Sequence, residues 1–343
     1  MGKQSFAVVL SVAAAFFFGI STPLSKALIR DLNPFLLAGL LYLGAGAGLS
    51  VLTLFGAGRK VPPAKKHNYK YITGMVVFGG LLGPVLLMGA IKIAPAASVS
   101  IWLNMELVAT AILGHFIFKD SLDKRGWLSV ALSLAAGVLL SYSGGIAGVT
   151  AGFLVALACF CWGFDNHFTA LIDDLSPVQS TIIKGLCAGA TNLLIGLALA
   201  GSAPSPAAAA KALLVGFLCY GLSITFYISA AQKLGAVRSQ VIFSIAPLFG
   251  VLLSVFALGE GLSGVQAVSG ALLLSAVWLL LAEKHGHFHA HSEAEHTHQH
   301  DHGDLHHEHH GGAAEGPHSH FHRHDKTAHD HPHWPDLHHR HTH

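Results

Sequence analysis

Apolar residues in this chain run in stretches of about 20, the length needed to cross a hydrocarbon layer about 30 Å thick, and polar residues fall mainly in the gaps between them. Ten such stretches are predicted, near residues 5–28, 33–55, 71–92, 96–118, 126–143, 150–172, 177–200, 211–231, 237–258 and 263–282. Lipid offers backbone N–H and C=O groups no partner, so each stretch should be a helix rather than a strand. The connections are short, apart from a basic segment at residues 56–70 and a Pro/Ala-rich stretch at 202–210 that reads as a linker.

The pattern is written twice. APAASVSIWLNMELVATAILGHFIFKDSL, residues 94–122, lies without a gap over LGAVRSQVIFSIAPLFGVLLSVFALGEGL, residues 234–262, so that Asp120 falls on Glu260 and Leu122 on Leu262. Farther along, residues 128–140 lie over 268–280, with Ala131, Leu132, Leu134, Ala136, Leu139 and Leu140 all meeting identical residues. Upstream, Phe18-Gly19 pairs with Trp162-Gly163 and Asn33-Pro34 with Ser176-Pro177. An internal repeat fixes the architecture before any motif does. Each copy holds five spans, an odd number, so the second must cross the membrane in the opposite sense to the first, as in alternating-access carriers. The expected fold is all-α: ten transmembrane helices in two inverted five-helix repeats, residues 1–145 and 146–284, followed by a disordered tail, residues 285–343.

Composition agrees: 52% of residues are hydrophobic and 11% charged, and the mean hydropathy of +0.54 is high even with a very polar tail. Cys159, Cys161, Cys187 and Cys219 all lie in apolar runs and form no disulfide framework. The first apolar run is long, lacks a clear small-residue cleavage site and leads straight into more apolar sequence, so it reads as an uncleaved first span. Placing the N-terminus inside puts Lys3, Arg59, Lys60, Lys65, Lys66, Lys70, Lys119, Lys124, Arg125, Lys233, Arg238 and Lys284 on the inner side. Only Lys26, Arg30, Lys92 and Lys211 then fall outside, which predicts an inner (plasma) membrane protein with both termini cytoplasmic.

GAIKIAPAASVSIWLNMELVATAILGHFIFKDSL, its later partner FSIAPLFGVLLSVFALGEGL, and the opening FFFGISTPLSKALIRDLNPFLLAGLLY together resemble the EamA family of the drug/metabolite transporter superfamily. The resemblance covers about residues 5–282 and implies ten helices in two repeats and secondary transport, often export. The family often has a proline after the Asn-x-Glu of its fourth helix. Here Leu107 stands there, while the second repeat keeps Pro247 and has Ala246 in place of the acid. The resemblance makes that Glu a common feature, so Glu106 does not single out a substrate.

Ionisable residues within spans are candidate site residues because lipid penalises them. Glu106 lies about ten residues into its helix, roughly 15 Å deep at 1.5 Å per residue, with Asn104 two residues before it. It reads as a proton or cation site, or as a protonated side chain bonding a neighbouring helix. A second cluster, CFCWGFDNHF, holds Cys161, Asp165, Asn166 and His167. Cys161 and Asp165 share a helix face, whereas Asp165 and His167 are about 200° apart and cannot face one cavity in a regular helix. The predicted pathway set is Glu106, Asn104, Asp165, His167 and Cys161. Lys184, Lys92 and His115 read as structural, Lys184 with its stem reaching toward the interface. Small residues at 43–48 and 185–190 allow close helix approach.

The tail is the most unusual stretch. Of 26 histidines, only His67, His115 and His167 precede it. Its candidate metal ligands are His285, His287, His289, His291, His296, His298, His300, His302, His306, His307, His309, His310, His318, His320, His322 and His324, interleaved with acids. Such a segment has too little apolar content for a core, and neutral imidazoles suit Zn²⁺, Ni²⁺, Co²⁺ and Cu²⁺. The leading expectation is therefore a secondary transporter exporting a divalent transition-metal cation of the Ni/Co/Zn class, with the tail binding metal at the inner mouth. The alternative is an EamA-type exporter of an amino acid or other small metabolite, with the tail as metal sensor or store. A membrane-tethered metal store or an intramembrane enzyme is a third class; no HExxH, P-loop or nucleophile–base pair supports an enzyme. No required cofactor and no nucleic-acid partner are expected, and a homodimer is allowed for.

Overall fold

The computed structural model describes residues 3–55, 66–117, 124–172, 175–234 and 242–281, and in the tail 286–290, 294–300, 318–324 and 328–332. Its helices, numbered by span, are α1 (Lys3–Leu28), α2 (Pro34–Phe55), α3 (Lys66–Ile93), α4 (Ala96–Phe116), α5 (Lys124–Ser143), α6 (Gly145–Ala170) and α7 (Pro177–Ala200). The second repeat continues with α8 (Pro206–Val215, Gly216–Leu222 and Ser223–Leu234), α9 (Ala246–Leu258) and α10 (Gly264–Leu281). Eight helices among the described residues are long and apolar enough to cross a membrane. Two shorter apolar helices, Ala246–Leu258 and Gly264–Leu279, supply the ninth and tenth positions. Residues 235–241, which precede α9, lie outside the described residues.

Two boundaries differ from expectation for identifiable reasons. The stretch expected as a linker at 202–210 is largely the start of α8, because Ser205 caps Ala208 N at 3.3 Å and Pro206 follows at the first helical position. Likewise α6 begins at Gly145 rather than near residue 150. The reversal from α5 takes one residue, Gly144, with Gly145 at φ +61°, a conformation open to glycine.

The repeat governs the packing. Helix α1 packs on α8 and α9, and α6 makes the matching contacts with α3 and α4; α2 crosses α7, and α5 lies along α10. Exchanging the two repeats maps this contact set onto itself. Local details repeat too. Asn33 and Ser176 each accept the N–H three residues on, Leu36 N at 2.8 Å and Gln179 N at 3.3 Å, just ahead of a proline at the first helical position. The α2/α7 crossing is tight because Gly185 lies on the α2 backbone: a methyl there would sit 2.7 Å from Gly46 N and Tyr42 O. Without a hydrophobic drive between helices in lipid, such small-residue contacts hold the bundle together.

Two irregularities recur in both halves. Helix α3 widens into a π-helical segment at Met75–Leu82, and α8 does the same at Gly216–Leu222. Helix α4 breaks at Leu103–Asn104, between Ala96–Trp102 and Met105–Phe116, and the run into α9 breaks at Ser244–Ile245. Both breaks carry three-residue backbone bonds, Asn104 N to Ile101 O at 3.2 Å and Ile245 N to Ile242 O at 3.3 Å. Different residues produce them. Pro247 has no N–H to continue the second helix, whereas the Asn104 side chain donates to Ile101 O at 3.1 Å and competes for the carbonyl. That is how the first repeat breaks without the proline.

In the tail, β1 (Gly286–Ala290) pairs antiparallel with β4 (Ala328–Pro332), and β2 (Ala294–His300) with β3 (His318–His324). Isolated two-stranded ribbons are marginal in water, so this pairing adds no second folded domain to the helical bundle.

Candidate functional site

The break in α4 places Glu106 in the first turn of the half-helix Met105–Phe116. A helix N-terminus carries partial positive charge, and half-helix ends at mid-membrane are where carriers hold charged solutes or coupling ions. The Glu106 carboxylate accepts from Asn166 Nδ2 at 3.3 Å, and the same amide donates to Thr110 Oγ1 at 3.3 Å, joining α4 to α6. Asn166 is exposed and Glu106 half-buried. A polar residue in a span turns away from hydrocarbon toward protein or water.

One residue earlier on α6, buried Asp165 faces another way. Lys184 of α7 donates to both its oxygens, at 2.7 Å to Oδ1 and 2.5 Å to Oδ2, with about a tenth of each side chain exposed. Thr169 Oγ1 adds a bond to Oδ1 at 3.2 Å. The pair rests on the π-helical segment of α3. A methyl on Gly79 would overlap the Asp165 carboxylate, and one on Gly80 would meet the Lys184 stem at 3.0 Å. Side chains of neighbouring helices donate to carbonyls of the widened segment. Gly79 O accepts from Tyr42 OH at 2.7 Å and Trp162 Nε1 at 3.2 Å, while Asn192 Nδ2 donates to Gly80 O at 3.2 Å and Leu81 O at 3.3 Å. Phe78, Phe164 and Phe168 cluster beside this wall, with ring centroids 5.1–6.1 Å apart.

The predicted pathway residues are therefore divided. Glu106 and Asp165 each anchor a polar network. Asn104 turns back onto its own helix, at Ile101 O, and His167 places Nδ1 2.8 Å from Gly163 O. Cys161 is a half-buried free thiol one turn before Asp165. Sequence reasoning missed Thr110 as a partner and set Lys184 aside. Among the described residues, no three His, Cys, Asp or Glu side chains come together as a metal site.

The other end of the bundle is clamped by charge. Lys26 of α1 donates to Ile91 O at 2.7 Å and Ala94 O at 2.8 Å, at the C-terminus of α3. Glu260, just past α9, accepts from Ala96 N and Ala97 N, both at 2.8 Å, at the N-terminus of α4. Each charge has the sign its helix end favours. A concavity of about 410 Å³ surrounds Lys26, Lys92 and Glu260, and another of about 560 Å³ lies by Asp31, Asn33 and Ser205. Both lie away from the Glu106 and Asp165 networks, at the end where α7 finishes.

Residues 5–142 and 149–282 each match the EamA-like transporter family. The chain belongs to that family. Among EamA-like relatives, an uncharacterized transporter of Methanothermobacter thermautotrophicus is 26% identical over 291 residues, 78% of this chain and 84% of its own length. A probable amino-acid metabolite efflux pump of Salmonella typhimurium is 26% identical over 298 residues, 81% and 94% respectively. An uncharacterized inner membrane transporter of Escherichia coli is 24% identical over 276 residues, 75% and 84%. A solved crystal structure shares the fold with a TM-score of 0.56 at 19% identity, covering 80% of this chain and 94% of that one. This EamA-like chain is a multi-pass membrane transporter.

Proposed function

We propose that this transporter exports a small polar metabolite, an amino acid or a related compound, across the inner membrane by alternating access. The observation that carries the reading is the pair of polar networks, Glu106–Asn166–Thr110 and Asp165–Lys184–Thr169, at a helix break and a π-helical segment within the bundle. The Lys26 and Glu260 clamp holds α1 and the end of α9 against the α3/α4 corner, and serves as the outer gate. Similarity to the Salmonella relative, named as a probable amino-acid metabolite efflux pump, supports the same substrate range. A divalent metal substrate is disfavoured, because Asp165 is already matched by an ammonium whose charge repels a second cation.

The tail is assigned a separate task, binding divalent transition metal as sensor or store. Its strand register sets histidine opposite histidine at His287–His331, His289–His329, His296–His322, His298–His320 and His300–His318. The candidates His285, His291, His302, His306, His307, His309 and His310 lie outside the described residues. Their interleaving with acids supports the same chemistry. In a deletion strain screened against amino acids and metals, the full-length chain should lower cellular content of one small metabolite. Truncation after Lys284 should leave that export intact while removing most metal bound by the purified protein. Metal export that survives truncation, with no metabolite effect, would overturn this assignment.

Orientation is testable alone. With both termini cytoplasmic, reporters fused after Lys284 and within residues 56–70 should both read cytoplasmic. A periplasmic signal at either position contradicts the arrangement.

A further inference from the structure

We infer that the Asp165–Lys184 pair is the recognition element for a zwitterionic solute, one carrying an ammonium and a carboxylate a few bonds apart. The solute's ammonium takes the place of Lys184 on Asp165, and its carboxylate takes the place of Asp165 on Lys184. The inference rests on the proposed metabolite-export reading and names the charge pattern of its substrate.

The argument starts from what a buried pair tolerates. Asp165 and Lys184 are held on separate helices, α6 and α7, and joined by two short charge-assisted bonds, with Thr169 as a further partner of the carboxylate. In a water-poor site, separating them leaves two unmatched charges, and the field of each is strong because the surroundings screen it weakly. A solute bearing a net charge can satisfy only one of the two and strands the other. A neutral solute without charged groups satisfies neither. A zwitterion satisfies both, so the exchange conserves both ion pairs and keeps the site at one net charge throughout.

The surroundings fit this exchange. The backbone of Gly79 and Gly80 lies flush against the pair, because neither residue carries a side chain to fill the space where the carboxylate and the lysine stem sit. Thr169 Oγ1 steadies Asp165 Oδ1 whichever ammonium is bound. The Phe78, Phe164 and Phe168 cluster provides an apolar wall next to the charges. Glu106 bonds to Asn166 in a different network, which leaves it available for a coupling cation.

Reconstituted full-length protein tests this with a neutral α-amino acid panel, the matching N-acetyl derivatives, which are anions, and the methyl esters, which are cations. The parent amino acids should be transported or compete at least about 10-fold better than either derivative class, the scale at which a site rejects a ligand that leaves its charged groups unpaired. The Asp165→Asn/Lys184→Gln double variant keeps a side-chain contact without charge. It should fold, judged by its thermal melt, and lose about 10- to 100-fold of zwitterion transport. Derivatives as effective as the parents, or a double variant with unchanged zwitterion transport, would overturn the inference. Glu106-dependent movement of a non-zwitterionic solute would overturn it while leaving the export reading standing. If no solute moves at all, both fall.

Discussion

Lys184→Met is expected to destabilise the bundle by about 3–5 kcal/mol, the typical effect of stranding one member of a buried ion pair. Asp165→Asn should be milder, because the two residues differ in reach. Lys184 enters α7 seven residues after Pro177, and its flexible stem can carry the ammonium toward the membrane surface once its partner is gone. Asp165 has no such escape. Its short side chain is packed on the Gly79 backbone and bonded to Thr169. Neutralising both residues should recover most of the loss, since a matched neutral pair strands no charge. Unfolding of the four proteins in detergent would measure the coupling directly. Single-variant losses that simply add in the double variant would mean that the two side chains do not interact.

Glu106→Gln should abolish transport while leaving the protein folded and in the membrane. Its Oε1 accepts from Asn166 Nδ2 at 3.3 Å, and a glutamine carbonyl can accept the same bond, so the α4–α6 contact survives. What is lost is the negative charge at the start of the half-helix Met105–Phe116. If Glu106 were only interhelical glue, the amide would serve as well and transport would persist. A drop of at least about 100-fold is expected if the charge holds a coupling ion, in line with losing one preorganised charged group.

Much of this architecture was legible in the sequence. Runs of about 20 apolar residues must be helices in lipid, and the unbroken match of residues 94–122 to 234–262 revealed two copies of one unit. The small residues near 43–48 and 185–190 marked the crossing that Gly46 and Gly185 make. What stayed hidden depends on contacts between helices. Hydropathy averages over a window, so it cannot register a π-helical segment at Met75–Leu82. Nor does it mark the break at Leu103–Asn104, where no proline stands and the cause is a single side-chain bond to Ile101 O. Lys184 looked like a residue reaching for the interface because depth along one helix says nothing of an acid facing it from another. The same holds for Glu260, whose partners Ala96 and Ala97 lie in the other repeat. Asn104 and Glu106 looked like one site at a spacing of two. The break sends the asparagine back to its own helix and the carboxylate to α6.

The most direct test of a Glu106-dependent carrier in this bundle is counterflow in proteoliposomes, comparing the wild-type chain with Glu106→Gln. Vesicles are loaded with an unlabelled neutral amino acid mixture and diluted into a labelled trace. Wild-type vesicles should accumulate label transiently above equilibrium, and Glu106→Gln vesicles should stay at the protein-free baseline with equal protein incorporated. Accumulation by Glu106→Gln matching the wild type would contradict a role for Glu106 in the transport cycle.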